Sequence, residues 1–183
     1  IGDGTHPDDG IYVLLKEIVD NAIDEYIIGA GRRIEITRDG KTVSVRAYGR
    51  GIPLGKVVEC VSEMHTGGKY NDDVFQFSVG LNGVGTKAVN ALSVHFRVES
   101  FREGKFKRAI FSRGQMQMEK GGAESKQRDG TFVEFSPDPE IFGDFDWNEE
   151  LIEHRLRYYS FLNTGLTLVY NGRTFQSKGG LSD

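Results

Sequence analysis

From Asp8 to Gly29 the apolar residues Ile11, Leu14, Leu15, Ile18, Val19, Ala22, Ile23, Tyr26 and Ile27 recur every three to four positions. This is the period of a helix that buries one face. Asp8 or Asp9 can cap its start and Gly29 can stop it. The period then changes to two. Ile34 and Ile36, then Val43 and Val45, alternate with polar residues around Asp39-Gly40, which predicts a hairpin. After glycines at 49, 51 and 55, Val57, Val58, Val61 and Met64 predict a second helix, and Gly83 to Leu92 a third. Between them residues 66 to 82 lose all periodicity and are rich in Gly, Asn and Asp. That predicts a long mobile loop, which inside a compact domain is more often functional than idle.

Further on, His95 to Phe101, Lys105 to Phe111, Gln115 to Glu119 and Thr131 to Phe135 read as strands, with Glu103-Gly104 as one turn. Trp147 to Leu162 reads as a helix through Leu151, Ile152, Leu156, Tyr159 and Phe161. A last hairpin, Leu166 to Tyr170 and Arg173 to Gln176, turns at Asn171-Gly172. There is no internal repeat. The mixed order predicts an α+β fold: a two-layer sandwich of a mixed, largely antiparallel sheet with helices on one face.

Composition narrows the picture. With 183 residues and 38% hydrophobic content the expectation is one domain over 1–183. Lys+Arg total 23 against Asp+Glu 27, a formal charge of -4. That balance lacks the basic footprint of a nucleic-acid wrapper, so any such contact would belong to another part of the protein. The single cysteine, Cys60, sits in an apolar run and cannot form an internal disulfide, which suits a structural thiol in a reducing cytoplasm. His6, His65, His95 and His154 are too scattered for a common zinc motif. No signal peptide and no apolar run of membrane-spanning length is visible, so the expected location is cytoplasmic.

Three constellations carry chemistry. On the first helix Glu17, Asn21 and Asp24 are four and three residues apart and line one side, bordering the buried face at Leu14 and Ile18. One acidic residue on an amphipathic helix is more often plain solvated charge. Asn21 is harder to explain that way, because Asn is a mediocre helix former. A Glu with an Asn one turn later makes a water-activating base beside an oxygen ligand for magnesium. The second constellation is Gly49-Arg50-Gly51-Ile52-Pro53 just after a predicted strand, where glycine permits positive φ or close approach and Pro53 stiffens the exit. Alone it would mean a turn. The third is Thr66-Gly67-Gly68-Lys69, then Gly80-Leu81-Asn82-Gly83-Val84-Gly85-Thr86 opening a helix. Helix starts present unpaired N–H groups to phosphates, glycines let them approach, and Lys69 adds a full charge.

In this order the motifs resemble the GHKL ATPase superfamily, whose Bergerat fold holds nucleotide between a helix and a flexible lid. Glu17 to Glu25, Gly49 to Pro53, Thr66 to Lys69 and Gly80 to Gly85 are most similar to the gyrase B and ParE subunits of bacterial type IIA DNA topoisomerases, with a slight lean to ParE. The resemblance runs essentially end to end. It implies ATP and Mg2+ as cofactors, Glu17 as general base, and Asn21 as ligand to magnesium and phosphates. It implies Leu81, Asn82, Gly83, Val84 and Gly85 as lid residues offering backbone N–H groups, with Lys69 nearby. Glu25 and Arg50 resemble a pair walling the pocket mouth, with Asp24 beside them, and Arg102 a second arginine there. Ile18, Ile52, Cys60, Val84 and Val133 match the apolar positions around the adenine, Gly51 and Pro53 belong with them to the nucleotide-binding set, and Thr131 matches a threonine that reaches the adenine through water. A pocket wall is also core, so the two readings of these apolar residues coexist.

Three departures stand out. The family reads the adenine amino group with an aspartate two residues before Gly49, where this chain has Ala47. A methyl group cannot accept that bond, and a hydrogen bond to a charged group contributes about 1.5–3 kcal/mol, or ten- to a hundredfold in affinity. Phe75 stands where many relatives have a tyrosine, and Val79 replaces the first of two paired lid glycines. The chain starts at Ile1 without a methionine and stops near Gly179-Gly180. The expectation is therefore a fragment, lacking most of an N-terminal dimerising arm and a transducer domain that supplies a lysine to the γ-phosphate. Such a fragment is expected to be a monomer with negligible turnover. The intact enzyme would close a dimeric gate, pass a DNA strand, and partner DNA and a DNA-cleaving subunit. The alternative is a pseudo-ATPase, natural or engineered, in which Ala47 has disabled adenine recognition while the fold persists.

Overall fold

A computed structural model describes residues 9–62 and 83–177. Lys69, Leu81, Asn82, Phe75, Val79 and the end of the second predicted helix at Met64 lie outside the described residues, as does the side chain of Val84.

The first predicted helix is α1 (Asp9–Ile27). Ile11, Leu14, Leu15, Ile18, Val19, Ala22 and Ile23 are all buried, as the period requires. It ends in a Schellman turn: Gly29 N–H donates to Tyr26 O at 2.9 Å and Ala30 N–H to Glu25 O at 2.9 Å, with Gly29 at φ 82°. The stop therefore engages Glu25 and holds it in the last turn of α1.

Among the described residues the strands are β1 (Arg33–Asp39), β2 (Thr42–Ala47), β3 (Ser93–Arg102), β4 (Lys105–Ser112), β5 (Gln115–Glu124), β6 (Gly130–Pro137), β7 (Thr167–Tyr170) and β8 (Arg173–Phe175). They form one sheet in the order β5-β4-β3-β6-β2-β1-β7-β8. Every pairing is antiparallel except β1 with β7, which is parallel.

Register turns the strand alternation into layers. Arg38, Val43, Phe135, Phe96 and Phe111 form one cross-strand row, and Ile36, Val45, Val133, Val98 and Ala109 the next. Most of these side chains are almost fully buried, each such apolar side chain contributing about 1.5–3 kcal/mol. Helices α1, α2 (Val57–Val61) and α3 (Gly83–Ala91) cover this face. Tyr12, Phe135 and Phe145 pack edge-on around Trp147 and close one end of the core. The alternate positions Glu35, Arg46, Phe132, Glu99 and Arg108 form the opposite face, which carries a depression of about 530 Å³ lined mainly by arginine, glutamate and aromatic side chains.

The structure differs from the sequence reading at several ends. The second helix is split into a 3-10 turn (Leu54–Lys56) and α2, and stops at Val61. Ser62 turns extended there, and its hydroxyl donates back to Val58 O at 2.6 Å. Strand β5 runs on to Glu124 rather than ending at Glu119, because β4 still has backbone to pair with it across two bulges. The predicted helix from Trp147 starts at Glu149 as α5 (Glu149–Leu162), capped by Asn148, which accepts from Leu151 N–H. A short α4 (Pro139–Phe142) went unread, although Asp138-Pro139-Glu140 spells cap, proline and first-turn acid. Tyr159 of α5 donates to Asp20 at 2.9 Å and ties that helix to the outer side of α1.

Candidate nucleotide site

At the end of the sheet away from Trp147, the row Ile34, Ala47, Thr131 and Ser100 follows the two apolar rows on the same face. Here hydroxyl groups replace valines. Helix α1 passes over β2 and β6 and touches α3, so its polar stripe looks onto this row and onto the start of α3.

Glu17 lies against the first turn of α3. A Cβ added to Gly85 would come within 2.7 Å of Glu17 Cδ, so glycine at 85 is what leaves room for the carboxylate. One turn along α1, the Asn21 amide Nδ2 donates to Thr86 Oγ1, a buried hydroxyl next to Gly85. The sequence-predicted Glu17, Asn21 and Gly85 are thus brought together. Gly83 opens α3 as expected. The carboxyl of Asp24, one turn beyond Asn21, is held above the usual carboxylate range, chiefly by burial and then by the negative charges of Asp20 and Glu25.

Glu25 receives three bonds from Arg50: from the backbone N–H at 3.2 Å, Nε at 3.3 Å and Nη2 at 2.8 Å. The pair is a forked guanidinium–carboxylate contact at the site's rim, and it pushes the Arg50 pKa further up. Gly51, at φ 79°, is wedged at the strand ends: a Cβ there would meet Arg102 Cγ and Phe101 O at 2.8 Å. Arg102 therefore belongs to the same corner. Pro53 leads into the 3-10 turn. Ile52, Cys60 and Val133 pack against the core from the edge, and Ile18 lies within it. Burial, reinforced by Glu59, raises the Cys60 thiol pKa despite Lys87 and Lys56, which keeps it protonated.

Two residues of this corner carried no sequence signal, and a third was read only as the last residue of the glycine run that opens a helix. Ser100, fully buried on β3, accepts from Ile52 N–H at 2.8 Å and donates to Ile52 O at 2.6 Å. It staples the Gly51-to-Pro53 loop to the sheet. Arg46, on the opposite face, donates to Ala47 O at 2.7 Å and to Thr131 O at 3.4 Å, and also to Arg128 O, while its guanidinium stacks 4.2 Å over Tyr48. It braces the strand ends under the Ala47-Thr131 pair. The third is Thr86. A serine in a strand, an arginine in a strand and a threonine on a helix are ordinary residues; only long-range contact singles them out.

The donor set limits what can bind. Among the described residues no group of three or more His, Cys, Asp and Glu could hold a metal alone. Glu17 and Asn21 offer two oxygen donors on one helix face, which fits magnesium only when a ligand's own oxygens and water complete its six-fold shell. Phosphate oxygens of a bound ligand would meet that need.

Comparison with known proteins agrees with this chemistry. The family model for the histidine kinase-, DNA gyrase B-, and HSP90-like ATPase matches residues 7–141. The chain is 56% identical over its whole length to the B subunit of DNA topoisomerase 4 from Borreliella burgdorferi, and covers 30% of that protein. Over 95% of the chain it is 40% identical to the B subunit of DNA gyrase from Thermus thermophilus, again 30% of the relative's length. The solved 43K ATPase domain of Thermus thermophilus gyrase B, in complex with an aminocoumarin, superposes with a TM-score of 0.76 at 38% identity, covering 95% of this chain and 48% of that one. A carboxylate and an amide on one helix, a glycine-opened helix facing them and an end-to-end match to gyrase B and its topoisomerase 4 counterpart make this chain a member of the histidine kinase-, DNA gyrase B- and HSP90-like ATPase family, in its type II topoisomerase branch.

Proposed function

We propose that this chain binds ATP with Mg2+ between α1, the first turn of α3 and the Ala47-Thr131 row, and that Glu17 is the general base for hydrolysis. The observation that carries the reading is the Glu17 carboxylate seated against Gly85, where a helix start meets a proton acceptor. Asn21 supplies an oxygen to magnesium and holds the phosphates through the metal. Gly83, Val84 and Gly85, with Leu81, Asn82 and Lys69, contribute N–H groups and charge to the phosphate end. Asp24, Glu25, Arg50 and Arg102 form the mouth; Gly51, Ile52, Pro53, Thr131 and Val133 enclose the base beside Ala47. Magnesium supplies charge neutralisation to the phosphates when bound.

The chain spans about a third of the length of the relatives it matches. In the full-length protein, ATP binding and hydrolysis close a dimeric gate and drive DNA strand passage, in the cytoplasm, with DNA and a DNA-cleaving subunit as partners and dimer contacts from segments outside this chain. No described helix is long and apolar enough to cross a membrane. A fold retained without the activity is not favoured, since both the family model and the matched structure are ATPases. Calorimetric titration with a non-hydrolysable ATP analogue tests the reading: saturable binding that strengthens with magnesium is expected. Absence of binding at millimolar analogue with magnesium present overturns it.

A further inference from the structure

We propose that Thr86 is a positioning residue that sets the orientation of the Asn21 amide, holding its nitrogen so that its oxygen is the atom presented to magnesium. The inference rests on the functional reading above and adds a residue to it.

An asparagine amide is nearly symmetric in shape and opposite in chemistry at its two ends. Turned one way it offers a cation an oxygen; turned the other it offers N–H groups, which a cation repels. On an open helix face nothing would choose between the two. Here the choice has a cause. Asn21 Nδ2 donates to Thr86 Oγ1 across the gap between α1 and α3. Thr86 is 7% exposed, so water does not compete freely for that hydroxyl. A threonine hydroxyl on a helix can give its own proton to a backbone carbonyl of the preceding turn, and the bond here runs from Nδ2 to Oγ1. Its oxygen is then left as an acceptor, which selects the nitrogen end of the amide. With Nδ2 committed, Oδ1 is the free atom.

The neighbours make the arrangement specific. Gly85, beside Thr86, is the residue whose missing side chain admits Glu17. The same turn of α3 therefore accommodates the base and orients the metal ligand, and the two are aligned to each other through adjacent residues of one rigid helix. Farther along, Asn90 Nδ2 donates to Val61 O at 2.9 Å and ties α3 to α2. The helix is held at both ends while it performs this alignment.

The test compares this chain with its Thr86→Val and Thr86→Ser variants. Valine keeps the shape and removes the acceptor; serine restores the acceptor. In titrations of a non-hydrolysable ATP analogue across a magnesium series, Thr86→Val is expected to weaken the magnesium-dependent part of the affinity by about two- to tenfold, the worth of one hydrogen bond. Affinity in EDTA should be unchanged, and Thr86→Ser should restore the wild-type response. Equal losses with and without magnesium would mean that Thr86 only packs the site, and no loss at all would mean that it orients nothing. Either overturns the inference. A second readout needs no nucleotide: in ligand-free protein the Asn21 side-chain amide protons should exchange with solvent several-fold faster in Thr86→Val than in wild type or Thr86→Ser. Unchanged exchange overturns the inference whatever the titrations show. If wild type binds no analogue while exchange responds as expected, the functional reading fails and the Thr86–Asn21 device stands.

Discussion

Substituting Gly85 by alanine should separate stability from chemistry, because opposing terms leave stability nearly unchanged while turnover falls. Gly85 lies inside α3, where replacing glycine by alanine favours the helix by about 0.5–1 kcal/mol. The new methyl, however, would sit 2.7 Å from Glu17 Cδ and closer still to Oε2, against an ordinary contact of 3.4–4 Å. The neighbour is the end of a flexible side chain, so the carboxylate can retreat by about 1 Å into a poorer rotamer at a cost of about 0.5–1.5 kcal/mol. These terms nearly cancel, and urea unfolding should place Gly85→Ala within about 1 kcal/mol of wild type. Catalysis has no such compensation. A base displaced by an ångström loses its alignment with the attacking water, a loss on the order of a hundredfold in turnover. The assay pairs urea unfolding of this chain with steady-state ATP hydrolysis by a full-length protein carrying the substitution, with Glu17→Gln as the reference for a lost base. Turnover within twofold of wild type, or a stability loss above about 2 kcal/mol, would refute the reasoning: the first would mean the carboxylate is not the base, the second that it cannot move.

Other outcomes follow from the same corner. Ala47→Asp should raise affinity for a non-hydrolysable ATP analogue by about ten- to a hundredfold, by adding a charged hydrogen-bond acceptor to the base pocket; equal affinity in calorimetry would refute that account of position 47. Ser100→Ala removes both bonds to Ile52 and should cost about 1–3 kcal/mol in unfolding, with faster hydrogen exchange at the Ile52 amide as its local sign. Gly130→Ala should destabilise strongly, by about 2–4 kcal/mol, because φ is 142° and a Cβ would press on the Ala47 carbonyl. In acid, Asp138 is held below the usual carboxylate range mainly by its hydrogen bond from Arg113. A depressed folded pKa contributes stability above the unfolded value near 3.8 that is lost as pH falls through the folded one. Asp138→Asn should therefore flatten the pH dependence of the unfolding midpoint below about pH 4, and an unaltered acid limb would count against that pairing.

The sequence by itself determined the parts whose cause is local. Helix α1 and its polar stripe follow from a three-to-four-residue period, and the hairpin of β1 and β2 from alternation around a turn pair. The glycines at the start of α3 and the Glu17, Asn21 spacing were legible because both are set within one or two helical turns. Tertiary structure decided the rest. Strand β7 reaches β1 in parallel across more than a hundred residues, and no periodicity encodes which strand becomes a neighbour. Ser100 and Ile52, 48 residues apart, and Asn21 and Thr86, 65 apart, become partners only when the sheet's register and the seat of α3 are set. Spacing placed a glutamate and an asparagine on one side of a helix. Folding supplied what makes them a site: a glycine across from the one, a hydroxyl across from the other, and an arginine bracing the strand ends from the opposite face.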